Sequence, residues 1–222
     1  SRCTSHGDDR MLSVVDWGLR DYRDSLAAMH ALVADRRAGR RPDTLVLVEH
    51  PPVVTIGVEG DDGAARASGL PVVEVERGGR ATYHAPGQLV GYPIVDLEPR
   101  GRDVRRFVTD LEAALVEAIA PFGVTGGHVP GRRGVWVAGT RKIASVGIAV
   151  EGWVTYHGFA LNVNLDLSPF DLFHPCGLDG PVMTSLAHET RRPVTVADVK
   201  PHIERAFRNA DLRVQRTSLA VG

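Results

Sequence analysis

The chain has 222 residues, 43% hydrophobic and 24% charged, enough for one large domain or two small ones around a substantial core. Twenty-six cationic side chains against 27 anionic ones leave a net charge of -1, which excludes the electrostatic footprint of a nucleic-acid binder. No apolar run reaches the roughly 18 residues of a membrane span. Two cysteines cannot make a disulfide framework, and the polar stretch 1–10 holds no signal-peptide core, so the expectation is a cytoplasmic protein with reduced thiols.

Tyr22, Leu26, Met29, Leu32 and Val33 recur at helical spacing and predict a helix over 21–37, ended by Gly39 and Pro42. Residues 44–50 read as a strand stopped by Pro51-Pro52, and 53–57 as a second, shorter one. Gly, Asp and Ala make 59–69 a loop, after which 72–76 reads as a strand punctuated by Arg77-Gly78-Gly79. The segment 89–97 is strand-like but broken by Pro93. Asp103 caps the clearest helix, with Val104, Phe107, Val108, Leu111, Leu115 and Ile119 on one face and Pro121 to Gly123 closing it. Strands over 134–138, 142–150 and 154–164 follow, the last two joined at Glu151-Gly152. A final helix occupies part of 195–211, its start blurred by Pro201.

Strict strand–helix alternation is missing, which argues against a doubly wound parallel sheet. The expectation is an α+β or α/β chain: a polar tail over 1–10, then a single domain over 11–222 with a mixed, largely antiparallel sheet and flanking helices.

Three places can carry chemistry. Arg77-Gly-Gly-Arg-Ala-Thr-Tyr-His-Ala-Pro-Gly-Gln88 packs glycines, arginines, a Thr, a Tyr and a His into twelve positions, so its backbone can approach a ligand closely. An ordinary connection with solvated arginines has the same composition. Cys176 sits on a tight turn, His174-Pro-Cys-Gly177, where a nearby cation would populate its thiolate; a small buried hydrophobe is the plainer reading. Cys3 lies in the polar tail. Lys142 is one of only two lysines, against 24 arginines, and opens a strand of small and apolar residues. Such a lysine either reaches solvent or faces a site where it tunes a thiol or relays a proton. If 142–150 and 154–164 form a hairpin, Ser145 to Gly147 lie beside Gly158 to Ala160, with His157 next along, and make a shallow apolar slot. Nine histidines and two cysteines show no ligand spacing, so no metal is expected, and Ala144-Ser-Val-Gly147 is only half of a hydrolase elbow.

Taken together, the segments resemble the octanoyl-[acyl carrier protein]–protein octanoyltransferase family, also called lipoate–protein ligase B. The resemblance rests on Arg77-Gly-Gly-x-x-Thr-Tyr-His84, Pro86-Gly-Gln-Leu-Val-Gly-Tyr-Pro93, Gly134-Val-Trp-Val137, Arg141-Lys-Ile-Ala144, Thr155-x-His-Gly-Phe-Ala-Leu-Asn-Val-Asn164, Pro175-Cys-Gly177 and Thr184-Ser-Leu186. These fall in family order from Glu49 to Leu186. Ala85 departs from the glycine that usually precedes Pro-Gly-Gln.

The resemblance implies a fold like the catalytic module of biotin and lipoate protein ligases, acting as a monomer without ATP, metal or other cofactor. It implies transfer of an octanoyl group from the phosphopantetheine thiol of acyl carrier protein to a lysine of lipoyl domains, those of 2-oxoacid dehydrogenase complexes and the glycine cleavage H protein. The family's catalytic cysteine matches Cys176 and its essential lysine Lys142, which would lower the thiol pKa and handle protons. Its acyl-substrate segments match Arg77, Gly78, Gly79, Arg80, Ala81, Thr82, Tyr83 and His84, then Ser145, Val146 and Gly147, then Gly158, Phe159 and Ala160. His84 is expected either to orient the reacting groups or to stabilise the core. Two rival activities stay open at this point: an ATP-dependent lipoate or biotin ligase, and a non-catalytic module that binds lipoyl domains or acyl chains. Arg100, Arg102, Arg105 and Arg106 read as a solvated basic helix face.

Overall fold

The computed structural model describes residues 12–60, 63–172 and 182–210. In chain order its elements are β1 (Ser13–Leu19), α1 (Tyr22–Arg37), β2 (Thr44–Glu49), β3 (Val53–Ile56), the short α2 (Gly63–Ala67), β4 (Val72–Glu74), β5 (Ala81–His84), β6 (Gln88–Ile94), α3 (Val104–Ile119), β7 (Gly126–Val129), β8 (Arg132–Val137), β9 (Arg141–Glu151), β10 (Val154–Asn162), α4 (Leu186–Thr190) and α5 (Val196–Asn209). Side-chain caps start the long helices. Asp21 accepts from the amides of Arg23 and Asp24, Asp103 accepts from Arg106, and Thr195 closes a capping box with Asp198. That box sets the start of α5 and leaves Pro201 inside it.

Seven strands join in the order β1-β2-β6-β10-β9-β8-β7, and every pair except β1–β2 is antiparallel. A second sheet, β4-β3-β5, stands apart from the first. The chain is thus a single domain with a mixed, largely antiparallel sheet, as expected. Helices α3 and α5 cover one face of the large sheet, where Phe107, Leu111, Leu115, Ile203 and Phe207 meet Leu45, Leu47, Leu89, Phe159 and Leu161. Helix α1 covers part of the other face with Met29 and Val33 against Val46, Val48, Val90 and Tyr92. β2 is buried on both sides, which is why it reads as an unbroken apolar run rather than an alternation. Each of these fully buried side chains contributes about 1.5–3 kcal/mol.

Several boundaries differ from the sequence reading. β1 and β7 were not foreseen: Ser-Val-Val-Asp-Trp-Gly-Leu is interrupted by Asp16 and Gly18, and Gly-Gly-His-Val has little strand propensity, so pairing with β2 and β8 creates both. The expected loop over 59–69 contains α2. The β9–β10 turn sits one residue later than expected, because Glu151 pairs with Val154. Gly152 and Trp153 both take positive φ there (55° and 66°), the conformation of a primed hairpin turn. Pro93 does not end β6, but with no N–H to give it interrupts the β6–β10 ladder, which pairs Gly91 with Phe159 and resumes only at Asp96 and Val154. Opposite that gap His157 takes φ +56°. Of the four arginines read as a solvated helix face, Arg105 and Arg106 lie exposed on α3, while Arg100 and Arg102 precede it. Arg100 turns inward to Asp43 (2.9 Å), Arg102 pairs with Glu98, and Arg106 lies 3.7 Å from Asp110.

Candidate active site

Where α1 stops covering the sheet, an open cleft lies between the large sheet and the small one. Register builds its floor. Ser145 pairs with Ala160 and Gly147 with Gly158, so four small residues share one face of the β9–β10 hairpin. Val90 and Tyr92 of β6 continue the floor, and Arg77 to Thr82, His84 and Tyr22 make the roof and wall.

The roof rests on glycine. The Gly78 amide donates to Ile148 O (3.0 Å), and a Cβ on Gly147 would lie 2.8 Å from Gly78 O, so only glycine lets the loop settle on the strand. Arg77 is buried and shapes the loop from within. Its Nη1 donates to Gly78 O and Arg80 O (3.1 and 2.9 Å), and its Nη2 donates to Thr55 O and Oγ1 (2.9 and 2.8 Å). Gly147→Ala is expected to lift the roof, cost about 1–3 kcal/mol in stability and raise the KM for an acyl donor. Urea unfolding together with steady-state kinetics checks both effects.

Lys142 stands at one end of this slot. It is 3% exposed, which removes the option that it reaches solvent. Val135 pairs with Ala144 but Trp136 pairs with Lys142, so β9 carries one extra residue, Ile143, and this bulge re-aims the lysine. Its Nζ lies 5.6 Å from the Trp136 ring centroid. Gly134, at φ +109°, leaves room for the stem, since a Cβ there would lie 2.7 Å from Lys142 Cε. Glu112, buried in α3, holds Gly134 by accepting its amide (2.6 Å). From Lys142 to Gly147 the strand advances about 17 Å, so the floor is long enough for an extended chain.

The far end is polar and crowded with rings. Tyr22 stacks on His84 (centroids 5.6 Å, 18°) and packs on His50 (5.0 Å), which in turn meets His84 and Tyr92. The partners define the protons. His50 Nδ1 faces Arg20 O (2.7 Å), which can only accept, so Nδ1–H donates and Nε2 accepts from the Tyr92 hydroxyl (2.7 Å). His157 Nε2 faces Glu76 (3.4 Å) and its Nδ1 faces the Tyr22 hydroxyl (3.4 Å). Burial drives the pKa of His50 down to about 4 and pushes those of His84 and His157 the same way, while it raises Tyr22 to about 12.

These histidines have a consequence for stability. Their folded pKa values lie below the unfolded value of about 6.5, so as pH falls from there towards 4 the unfolded chain takes up protons that the folded chain does not. Stability is therefore expected to fall across that window by about 1.4 kcal/mol per pH unit for each such histidine. Urea midpoints at pH 7.5 and pH 5 test this, and equal midpoints would contradict it.

Of the residues expected at the site, the structure gathers Arg77, Gly78, Gly79, Arg80, Ala81, Thr82, His84, Lys142, Ser145, Val146, Gly147, Gly158, Phe159 and Ala160 around the cleft. Val146 and Phe159 belong to the core on the α3–α5 face, so they meet the slot through backbone rather than as apolar side chains. Tyr83 points away and packs edge-on against Phe170 (5.6 Å). Both ring nitrogens of His84 are taken, Nδ1 by Gln88 Oε1 (2.7 Å) and Nε2 by Thr55 Oγ1 (3.3 Å), which supports its stabilising role. Cys176 and Cys3 lie outside the described residues. Among the described residues no cluster of His, Cys, Asp or Glu is arranged to hold a metal, and no helix is long and apolar enough to cross a membrane. The sequence reading missed Tyr22, Val90 and Tyr92 as lining, since each is indistinguishable from core, and left His157 without a role. A histidine inside an otherwise apolar predicted strand was the available signal for it.

This floor, roof and buried lysine, on a mixed sheet with helices on both faces, define a catalytic domain of the lipoyl protein ligase A/B class, and the model of that family matches residues 21–208. The fold is also that of P. falciparum LipL1 in complex with lipoate (TM-score 0.71, 13% identity, 90% of this chain and 62% of that one) and of a lipoate-protein ligase A bound with ATP (0.65, 17%, 89% and 83%). More similar in sequence are proteins named Octanoyltransferase from Geobacter sulfurreducens (46% identity, 88% of this chain and 83% of the relative) and Acidothermus cellulolyticus (47%, 86% and 88%). The chain belongs to the octanoyltransferase family.

Proposed function

We propose that the chain transfers an octanoyl group from the phosphopantetheine thioester of acyl carrier protein to the acceptor lysine of lipoyl domains, through an acyl-enzyme at Cys176. The observation that carries this reading is Lys142, buried at the end of a slot floored by Ser145, Gly147, Gly158 and Ala160, in a chain 46% identical to a named octanoyltransferase. A floor of small residues suits a straight apolar chain, which offers area and no polar handle.

In the proposed sequence the Cys176 thiolate attacks the donor's carbonyl carbon, and the collapsing intermediate expels the phosphopantetheine thiolate, which takes a proton from Lys142. The acceptor amine then attacks the Cys176 thioester. An amide forms, the Cys176 thiolate leaves, and the proton lost by the amine returns to Lys142, so charge and protons balance over the cycle. No nucleotide or metal enters these steps. The acceptors are the lipoyl domains of 2-oxoacid dehydrogenase complexes and the glycine cleavage H protein.

The test is transfer from octanoyl-acyl carrier protein to an apo lipoyl domain with ATP omitted, read by the mass of the lipoyl domain. Octanoylation without ATP is expected. Modification only when ATP and free acid are added would replace this reading with an adenylating ligase, and none under either condition would leave a binding module.

A further inference from the structure

A chain of hydrogen bonds runs from the roof of the cleft to the Thr184 carbonyl with every link pointing the same way, and Thr184 through its own amide holds the backbone of Lys142. Arg77 Nη2 donates to Thr55 Oγ1 (2.8 Å), and the Thr55 hydroxyl donates to His84 Nε2 (3.3 Å). His84 Nδ1 donates to Gln88 Oε1 (2.7 Å), and Gln88 Nε2 donates to Asn162 Oδ1 (2.9 Å). Asn162 Nδ2 donates to Thr184 O (2.9 Å), and the Thr184 amide donates to Lys142 O (2.9 Å). The direction is forced. Gln88 Nε2 also donates to Tyr83 O (3.0 Å) and Asn162 faces a carbonyl, so neither carboxamide can flip without setting acceptor against acceptor. Thr55, His84, Gln88, Asn162 and Thr184 are all buried, where aligned bonds reinforce one another.

Asn162 is the link that crosses from β10 to the segment 182–184. That segment holds the Lys142 backbone along one edge through a parallel bridge at Met183, in which the Lys142 amide donates to Val182 O (2.6 Å) and its carbonyl accepts from the Thr184 amide (2.9 Å). On its outer side Thr184 Oγ1 donates to Glu189 (2.6 Å), which Arg141 engages with two bonds (2.8 and 2.9 Å) and holds down to about 2. We propose that Asn162 is a positioning residue that locks Lys142 in register with the acyl slot, through Gln88 and His84 on one side and Thr184 on the other. This rests on the reading in which Lys142 acts on Cys176.

The experiment follows alkylation of Cys176 by iodoacetamide against pH, mapped by peptide mass, in the full chain and in Asn162→Leu, Lys142→Ala and the double variant. Asn162→Leu keeps comparable bulk and removes the amide. Lys142→Ala is expected to raise the thiol pKa by about one unit or more. Asn162→Leu is expected to raise it in the presence of Lys142 and to add nothing in its absence, with kcat for octanoyl transfer lowered about 10- to 100-fold and KM for the donor little changed. If Asn162→Leu does not fold, Gln88→Met, which removes the donor into Asn162, is expected to shift the titration in the same direction by less. An unchanged titration in Lys142→Ala would overturn the Lys142–Cys176 reading itself. A shift in Lys142→Ala with none in Asn162→Leu, or an equal shift in both backgrounds, would overturn the role of Asn162 and leave that reading standing.

Discussion

Cys176→Ser is expected to lower octanoyl transfer by at least about 10³-fold while leaving the fold intact. A serine hydroxyl is ionised far less than a thiol, so in the proposed pairing Lys142 would be left stabilising a charge that scarcely forms at neutral pH. An oxygen ester at that position would also react more slowly with the incoming amine, so both half-reactions suffer. Steady-state transfer, measured with the urea midpoint as a control for folding, checks this. Turnover within tenfold of the parent would mean that the donor thioester is attacked directly by the acceptor and that no acyl-enzyme forms.

Lys142→Arg separates the two tasks assigned to the lysine. Arginine keeps the positive charge but does not release its proton, so it can stabilise a thiolate and cannot cycle a proton between leaving group and amine. The expected loss is roughly 10²- to 10⁴-fold in kcat, the usual worth of a positioned acid–base group, with Cys176 still alkylated rapidly at neutral pH. The surroundings make the substitution demanding. The stem passes Gly134, where even a Cβ would lie 2.7 Å from Lys142 Cε, and the ammonium lies near Trp136. The alkylation rate is therefore the informative control. A slow, high-pH alkylation would show that the guanidinium has been displaced, whereas full turnover would contradict the proton-relay role.

Much of the scaffold was legible in the sequence, for identifiable reasons. Asp103 announced α3 because a cap is a local interaction, the helical spacing of Tyr22, Leu26, Met29 and Val33 announced α1, and the β9–β10 hairpin followed from apolar strands on either side of a Gly turn. The slot floor came with it, since period-two geometry places Ser145 and Gly147 opposite Ala160 and Gly158 once the register is right. The same alternation should have excluded Val146 and Phe159 as side-chain walls, which the structure assigns to the opposite face. What stayed hidden depends on partners distant in the chain. β1 exists because β2 offers an edge, the bulge at Ile143 aims Lys142, and Glu112 steadies Gly134 from a helix 22 residues earlier. Gln88 and Asn162 looked like ordinary motif positions, and only their opposed carboxamides show that they connect the slot to the lysine.

The most direct test of the central claim is the intact mass of the chain after mixing with octanoyl-acyl carrier protein in the absence of ATP. One octanoyl group, mapped to Cys176 and discharged when apo lipoyl domain is added, is the predicted result. A lipoyl domain that becomes octanoylated while the enzyme never carries the group would contradict it.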